Sequence, residues 1–153
     1  MKSVKIKGKD YVMVDERLKE FRKNFEGYGL ITNIIELDEK SVTIRAVITD
    51  KENKEIASGI AREEKSDGFI NKTSYVENCE TSAWGRALAN LGIGIDTGVA
   101  SAEEVENAIE QQTLIKAKKL NINFDKLATY LKKNKSELTT EDIEKAIEQK
   151  GGK

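Results

Sequence analysis

The spacing of the apolar residues changes twice along the chain, and this restricts the possible folds more than any other feature. The first part has helical spacing, and its apolar stripe consists of Val14, Leu18, Phe21 and Phe25. Asp15 is the predicted N-cap of this helix, and Gly27 and Gly29 are predicted to end it. The next three segments, LITNIIELD, SVTIRAVITD and EIASGIARE, alternate with a period of two and are separated by short polar connectors. This pattern predicts a helix followed by a three-stranded antiparallel meander.

Helical spacing returns in the segment SYVENCETSAWGRALANLG. Ser74 and Glu77 have the spacing of a capping box at its start, and Gly92 is predicted to end the helix. The glycine-punctuated segment IGIDTGVAS that follows is predicted to be extended. Ser101 and Glu104 form a second capping box, which predicts another helix. We therefore predict an α+β fold with an N-terminal helix, a three-stranded antiparallel β-meander and a long central helix.

The composition changes after this second capping box, which suggests a division into two parts. Residues 1–112 are predicted to form one core, and residues 113–153 a small helical tail with two or three short amphipathic helices. Thr139 or Thr140 is predicted to cap the last helix. A segment of ~40 residues is close to the lower limit of what folds alone, so we regard the tail as an appendage or interaction module.

The residue composition excludes several kinds of chemistry. The chain has no histidine and one cysteine, Cys79. A histidine general base, a Ser–His or Cys–His nucleophile and the common zinc sites are therefore absent. A lone cysteine is typical of a reducing cytoplasm, and no apolar run is long enough for a membrane span. We expect a non-enzymatic cytoplasmic protein that needs no cofactor or metal.

One face of the central helix is a candidate phosphate-binding surface. Arg86 shares that face with Ser82 and Asn90, roughly opposite the apolar stripe. All three side chains are good hydrogen-bond donors to phosphate oxygens. The alternative is a solvated arginine or a surface ion pair, which is the more common fate of such a residue. The net charge of −1 also argues mildly against a dedicated nucleic-acid domain.

The segment YVENCETSAWGRALANLGIGID, followed by ASAEEVENAI, resembles the core of phage single-strand annealing proteins of the Erf and Sak types. Those proteins are distantly similar to the eukaryotic strand-annealing mediator of double-strand-break repair. The segments YVMVDERLKEFRKNF and GLITNIIELDEKSVTIRAVITDKENKEIASGIARE resemble the family's first helix and its meander. The resemblance extends from about Tyr11 to about Ile109 and does not cover the tail after Thr113.

The resemblance implies a β-β-β-α core that assembles side by side into rings or arcs. Single-stranded DNA would lie in a groove between the sheet hairpins and the long helix, with its backbone held and its bases exposed. Gly85 stands where some relatives have a second basic residue. Phe69 and Tyr75 are candidates for base stacking, with core packing as the alternative. The expected DNA contacts are Arg86, Ser82, Asn90, Arg45, Arg62, Lys65 and Lys72.

The function expected from the resemblance is ATP-independent binding of single-stranded DNA and annealing of complementary strands. It would operate in phage-type homologous recombination, in the cytoplasm of a bacterial host, as a homo-oligomer. One alternative is a passive protein that protects single-stranded DNA. Another is a recombination adaptor that acts through its helical tail, with the host single-strand binding protein as a possible partner.

Overall fold

The computed structural model describes residues 1–65 and 74–151, and the chain divides into two compact units. We call residues 1–65 and 74–106 the core unit and residues 107–151 the tail unit. The predicted boundary after Gln112 lies a few residues further along the chain and stays a prediction. Within the described residues, no helix is both long and apolar enough to cross a membrane.

The core unit begins with a β-hairpin that the sequence analysis did not predict. Strand β1 (Ser3–Ile6) pairs antiparallel with strand β2 (Lys9–Val12). The two connecting residues, Lys7 and Gly8, have φ angles of 47° and 85°. Positive φ at both positions is what a two-residue type I′ turn requires, and its twist matches that of the strands.

Helix α1 (Val14–Asn24) follows and buries the predicted stripe, with Phe21 fully enclosed. The prediction of Asp15 as the N-cap is wrong, because the helix begins at Val14 and its N-cap is Met13. The Met13 side chain makes no capping hydrogen bond. Instead, the Val14 amide donates to both carboxylate oxygens of Glu103, at 3.0 Å and 3.2 Å. A distant carboxylate thus satisfies a helix-start donor that is usually satisfied by a local side chain.

The three predicted strands form the expected antiparallel meander. Strands β3 (Gly29–Leu37), β4 (Ser41–Thr49) and β5 (Glu55–Glu64) lie in the order β3-β4-β5. The register shifts between Ile34 and Glu36, so Ile35 occupies a β-bulge. The inner face of the sheet is buried, and its β4 residues are Val42, Ile44, Ala46 and Ile48.

Helix α2 (Tyr75–Asn90) packs on the inner face against β4 and β5. The contact is close because small residues meet there: a Cβ on Gly59 would lie 2.4 Å from the Ala87 nitrogen. The predicted start after Ser74 and end before Gly92 are confirmed. The Ser74–Glu77 capping box is wrong, since the Ser74 side chain makes no capping hydrogen bond.

The segment after α2 is a compact turn, so the prediction of an extended segment is wrong. Gly94 and Gly98 have φ angles of 67° and 120° and flank a single 3₁₀ turn, Ile95–Thr97. The second capping box is confirmed, because the Ser101 hydroxyl and the Glu104 carboxylate each accept the other's amide N–H at 3.2 Å. It opens helix α3 (Ala102–Lys119), which continues into the tail unit.

The tail unit is helical, as predicted. Helices α4 (Phe124–Leu131) and α5 (Thr140–Gly151) are joined through a 3₁₀ turn, Lys135–Glu137. Of the two predicted caps for the last helix, Thr139 is the correct one, since its hydroxyl accepts the Asp142 amide at 3.2 Å. The small apolar core of this unit comprises Leu114, Ala117 and Ile143, with Ile122, Phe124, Leu127 and Ile147 packed against them.

Candidate nucleic-acid interface

A groove of about 470 Å³ lies beside the edge of β5 in the core unit. Its lining residues come from β5, α2 and the turn after α2, and they are Ser58, Gly59, Ile60, Arg86, Ala89, Asn90, Ile95 and Val99. Ile60, Ile95 and Val99 are about half exposed. The groove therefore combines an arginine and an amide with accessible apolar surface, a mixture that is common in ligand sites.

Arg86 projects from α2 into this groove and is held by a carboxylate of the same chain. Its Nε donates to Oε1 of Glu104 at 2.6 Å. The other oxygen of Glu104 accepts the Ser101 amide, so the carboxylate has a fixed position at the start of α3. The Arg86 side chain remains 50% exposed, which leaves room for a ligand beside the ion pair.

The other two members of the predicted helix face differ from each other. Asn90 lies in the groove, where its side-chain amide donates to the Ser58 carbonyl at 3.1 Å. Ser82 is only 2% exposed, so the prediction that it shares an accessible face with Arg86 is wrong. The physical reason is that α2 contacts β4 and β5 as well as α1. Most of its circumference is therefore covered, and Ser82 lies on a covered side.

The predicted strand arginines lie on the outer face of the sheet, which is the face away from α2. Arg45 is in register with Ile60 and forms an ion pair with Glu55. Arg62 lies two residues beyond Ile60, with Nη1 3.6 Å from Glu36 and Nη2 donating to the Ser41 hydroxyl at 3.2 Å.

The structure describes one of the two predicted loop lysines. Lys65 is exposed directly after β5. Lys72 lies outside the described residues, as does Phe69. Of the seven predicted contacts, the structure thus brings Arg86 and Asn90 together in the groove.

Every predicted arginine contact has a carboxylate partner within the chain, namely Glu55, Glu36 or Glu104. Exposed ion pairs of this kind contribute only about 0–1 kcal/mol, so a phosphate can replace the carboxylate at low cost. The core unit as described nevertheless has fifteen basic and nineteen acidic side chains. The electrostatic attraction for a polyanion in this unit is therefore local, at individual arginines.

Arg17 is a structural residue of this region that the sequence analysis missed. It is fully buried, and its guanidinium donates to backbone carbonyls far along the chain. Nη1 donates to Gly85 and Val99, each at 2.8 Å, and Nη2 donates to Gly98 at 3.0 Å. Longer contacts of 3.4 Å reach Gly94 and Ala100.

Burial lowers the pKa of Arg17, and the nearby carboxylates of Glu104 and Glu103 oppose this shift. The guanidinium fixes the turn whose Ile95 and Val99 line the groove, so Arg17 is a positioning residue. A sequence feature could have identified it. Arg17 lies three residues after Val14 and four before Phe21, within the buried stripe, where a cation is unusual.

Gly85 has a structural role that explains why no basic residue occupies its position. A Cβ at Gly85 would lie 2.9 Å from Cγ2 of Val14. The Gly85 carbonyl also accepts from Arg17. A longer side chain here would push α1 away from α2.

The aromatic and thiol side chains near α2 are used for packing. The Trp84 indole donates to the Thr32 hydroxyl at 2.8 Å, and the Tyr75 hydroxyl donates to the Asp38 carbonyl at 3.4 Å. Cys79 is buried, its thiol donates to the Ala61 carbonyl, and desolvation raises its pKa. Across residues 1–65 and 74–151, no group of three or more Cys, Asp or Glu side chains is arranged to hold a metal ion.

Comparison with known proteins gives one match. Residues 18–91 match a family described as Slr1353 N-terminal dsRNA-binding domain-like. The match begins within α1, includes the three strands of the meander and ends just after α2, which is slightly less than half of the chain. No curated protein and no solved structure shows significant similarity. The matched region includes the groove residues on β5 and α2. The groove residues Ile95 and Val99 lie after the end of the matched region.

Proposed function

We propose that the protein binds single-stranded nucleic acid along the β5 groove and anneals complementary strands without ATP or a metal ion. The observation that carries this proposal is the position of Arg86 and Asn90 beside exposed apolar side chains. A guanidinium binds phosphate through charge-assisted hydrogen bonds, and apolar side chains provide contact surface for sugars. The dsRNA-binding domain-like match supports nucleic acid as the class of ligand.

Annealing, as distinct from binding, is supported by the resemblance of the α2 sequence to phage single-strand annealing proteins. The same resemblance supports a role in phage-type homologous recombination and assembly into a ring or arc. Repetition matters energetically, because each subunit offers few cations and the salt-dependent gain from phosphate contacts grows with their number. A homo-oligomer repeats the Arg86 groove along one strand.

The test is fluorescence annealing of two complementary oligonucleotides in the absence of ATP and magnesium. We expect the wild type to accelerate pairing and Arg86→Ala to lose most of that acceleration. The matched control is Arg22→Ala, since Arg22 is exposed on α1 and stacks on the Phe21 ring, 5.2 Å from its centroid. Both substitutions remove one positive charge, so a difference in annealing rate between the two variants shows that the position of the charge matters.

Two results would contradict the proposal. If the wild type binds strands tightly but slows their pairing at saturation, the protein is a passive protector of single strands. If Arg86→Ala and Arg22→Ala both anneal as fast as the wild type, the groove is not the nucleic-acid site. Light scattering on each variant shows whether a loss of activity follows from a changed oligomeric state.

A second candidate function is recognition of double-stranded RNA, which the description of the matched family favours. Double-stranded RNA is recognised mostly by shape and by phosphate and 2′-hydroxyl contacts over about 16 base pairs. Competition between a duplex RNA of that length and a single strand of equal length separates the two candidates. Our proposal expects the single strand to win.

An adaptor role for the tail rests on a separate observation. Tyr130 on α4 is 76% exposed beside a small surface cavity of about 80 Å³ formed with α5. If the tail recruits a partner such as the host single-strand binding protein, Tyr130→Ala would abolish recombination in cells while annealing in vitro persists. If recombination and partner binding are both retained, Tyr130 has no such role.

A further inference from the structure

The free edge of β3 is exposed and apolar. Among the described residues, β3 pairs only with β4, so the backbone groups on its other side have no strand partner. The exposed apolar side chains of this strand are Ile31, Ile34, Ile35 and Leu37, at 47%, 56%, 60% and 54%. An exposed apolar edge strand is a template for pairing with another strand.

The other strands carry features that oppose such pairing. On β5, the Ser58 carbonyl is occupied by the Asn90 amide, and Arg62, Glu63 and Glu64 add charge at one end. The hairpin strands β1 and β2 carry lysines. Charged side chains on edge strands discourage association, and lysine is especially common in this role. Strand β3 has neither lysine nor proline.

The charge pattern of β3 favours a second copy of this chain as the partner. Glu36 is the only charged residue of the strand, and Arg62 lies 3.6 Å from it. Two identical strands therefore meet without an uncompensated repulsion. Strand β3 has no lysine or arginine that could contact the phosphates of a nucleic acid. Antiparallel pairing also makes an edge complementary to itself about a two-fold axis, which is the commonest symmetry of protein dimers.

We infer that two copies of the protein pair antiparallel through their β3 edges and form one continuous six-stranded sheet. The bulge at Ile35 restricts regular pairing to Gly29–Ile34. This contact forms a closed dimer, because both copies use the same β3 edge and no free β3 edge remains for a third copy. A ring or arc would need a second, different contact between such pairs. The inference does not depend on nucleic-acid binding.

The test is light scattering after size-exclusion chromatography of the full chain without nucleic acid. We expect the wild type to have the mass of two chains or an even multiple, and Ile31→Lys and Ile34→Lys each to halve it. The matched control is Ile56→Lys on β5, because Ile56 is 41% exposed, does not line the groove and should leave the mass unchanged. These side chains are already exposed, so circular dichroism should show an intact fold in all three variants.

A second measurement keeps the inference falsifiable if the lysine variants fail to fold. Ile31→Cys and Asn33→Cys place thiols on the outer face near the expected two-fold axis. With an oxidant added, at least one of the two variants, or an equal mixture of them, should form an intermolecular disulfide. The native Cys79 is buried and should not interfere. A single-chain mass for the wild type, unchanged mass in both lysine variants, or thiols that stay reduced in both cysteine variants and in their mixture would each overturn the inference. Annealing without the β3 dimer, or the dimer without annealing, separates this inference from the proposed function.

Discussion

The core unit and the tail unit each have internal polar contacts, and the sequence separation of these contacts differs between the two units. In the core unit, Glu103 caps α1 across 89 residues, and Arg17 reaches carbonyls 68 to 83 residues away. In the tail unit, both helix caps span three residues, from Asn123 to the Lys126 amide and from Thr139 to the Asp142 amide. At the start of α1, the core unit thus depends on its tertiary structure for a contact that the helices α4 and α5 make locally.

The two units also differ in charge. The core unit has an excess of four acidic groups among its described residues, and three of its arginines are paired with carboxylates. The tail unit, with nine lysines and seven carboxylates, has an excess of two positive charges. Long-range attraction for a polyanion therefore favours the tail unit, although the groove and the family match lie in the core unit. Local geometry, and not net charge, makes the β5 groove the better candidate site.

The largest effect should come from removing the long-range contacts of Arg17. We expect Arg17→Met to lower the free energy of unfolding by about 4 kcal/mol, because several buried or partly buried carbonyls lose a cationic donor. Urea unfolding followed by the fluorescence of Trp84, the only tryptophan, measures this in the core unit. Arg22→Met on the exposed side of α1 is the control and should cost under about 0.5 kcal/mol. Equal effects of the two substitutions would show that the Arg17 contacts contribute no stability.

The next effect concerns the close approach of α2 to β5. A Cβ on Gly59 would meet the backbone of Ala83 and Ala87 at 2.7 Å and 2.4 Å, and backbone atoms cannot rotate away. We therefore expect Gly59→Ala to destabilise the core unit by about 3 kcal/mol. Gly151→Ala, where nothing lies within 4 Å, is the control for adding a methyl group to a glycine. A normal midpoint for Gly59→Ala would mean that α2 packs further from the sheet.

The same contrast in sequence separation explains which features could be predicted from sequence. The meander was predicted correctly from the period of two and the short connectors between its strands. The cap at Ser101, and Thr139 as one of two alternatives, were predicted because each cap depends on a residue three positions away. The N-cap assigned to Asp15 was wrong because α1 begins at Val14, and the carboxylate that accepts the Val14 amide, Glu103, comes from the far end of the core unit. Ser82 was placed on an exposed face because helical spacing reveals one buried side and not a second.

The carboxylate partner of Arg86 depends on the same long-range packing and was foreseen only as the general possibility of an ion pair. The prediction of a phosphate contact at Arg86 remains untested, and it leads to an expectation that can be measured. Replacing Glu104 by glutamine keeps an acceptor for the Ser101 amide but removes the charge that competes with phosphate.

We expect Glu104→Gln to tighten binding of single-stranded DNA about fivefold, which corresponds to about 1 kcal/mol. Fluorescence anisotropy with a labelled oligonucleotide measures the change. Glu26→Gln removes the same charge at an exposed position after α1 that does not line the groove, and is the control. A similar gain in both variants would show a general charge effect, and no gain in either would mean that Arg86 does not contact the strand.

A smaller effect should follow from removing a local cap in the tail unit. The Thr139 hydroxyl accepts the Asp142 amide and contacts the Asp142 carboxylate at 2.9 Å. We expect Thr139→Ala to cost about 1 kcal/mol of helix stability, measured by thermal circular dichroism. Thr139→Ser keeps the hydroxyl and should restore most of that loss. If Ala and Ser behave alike, the cap does not contribute.

The smallest effect concerns the pH dependence of the same cap. The pKa of the Asp142 carboxyl is lowered to about 2, below its ordinary value of 3.8. The largest cause is its hydrogen bond with Lys133, and the next is its hydrogen bond with the Thr139 amide. A carboxylate whose pKa is lower in the folded state stabilises that state above the unfolded pKa. This contribution should therefore be complete above about pH 4 and disappear as the pH falls towards 2.

NMR titration of the Asp142 carboxyl checks the pKa, and Lys133→Met should move it back towards 3.8. An ordinary pKa in the wild type would mean that the cap and its lysine are not formed in solution. The tail unit would then not be stabilised by this local cap, and the contrast with the distant contacts of the core unit would no longer hold.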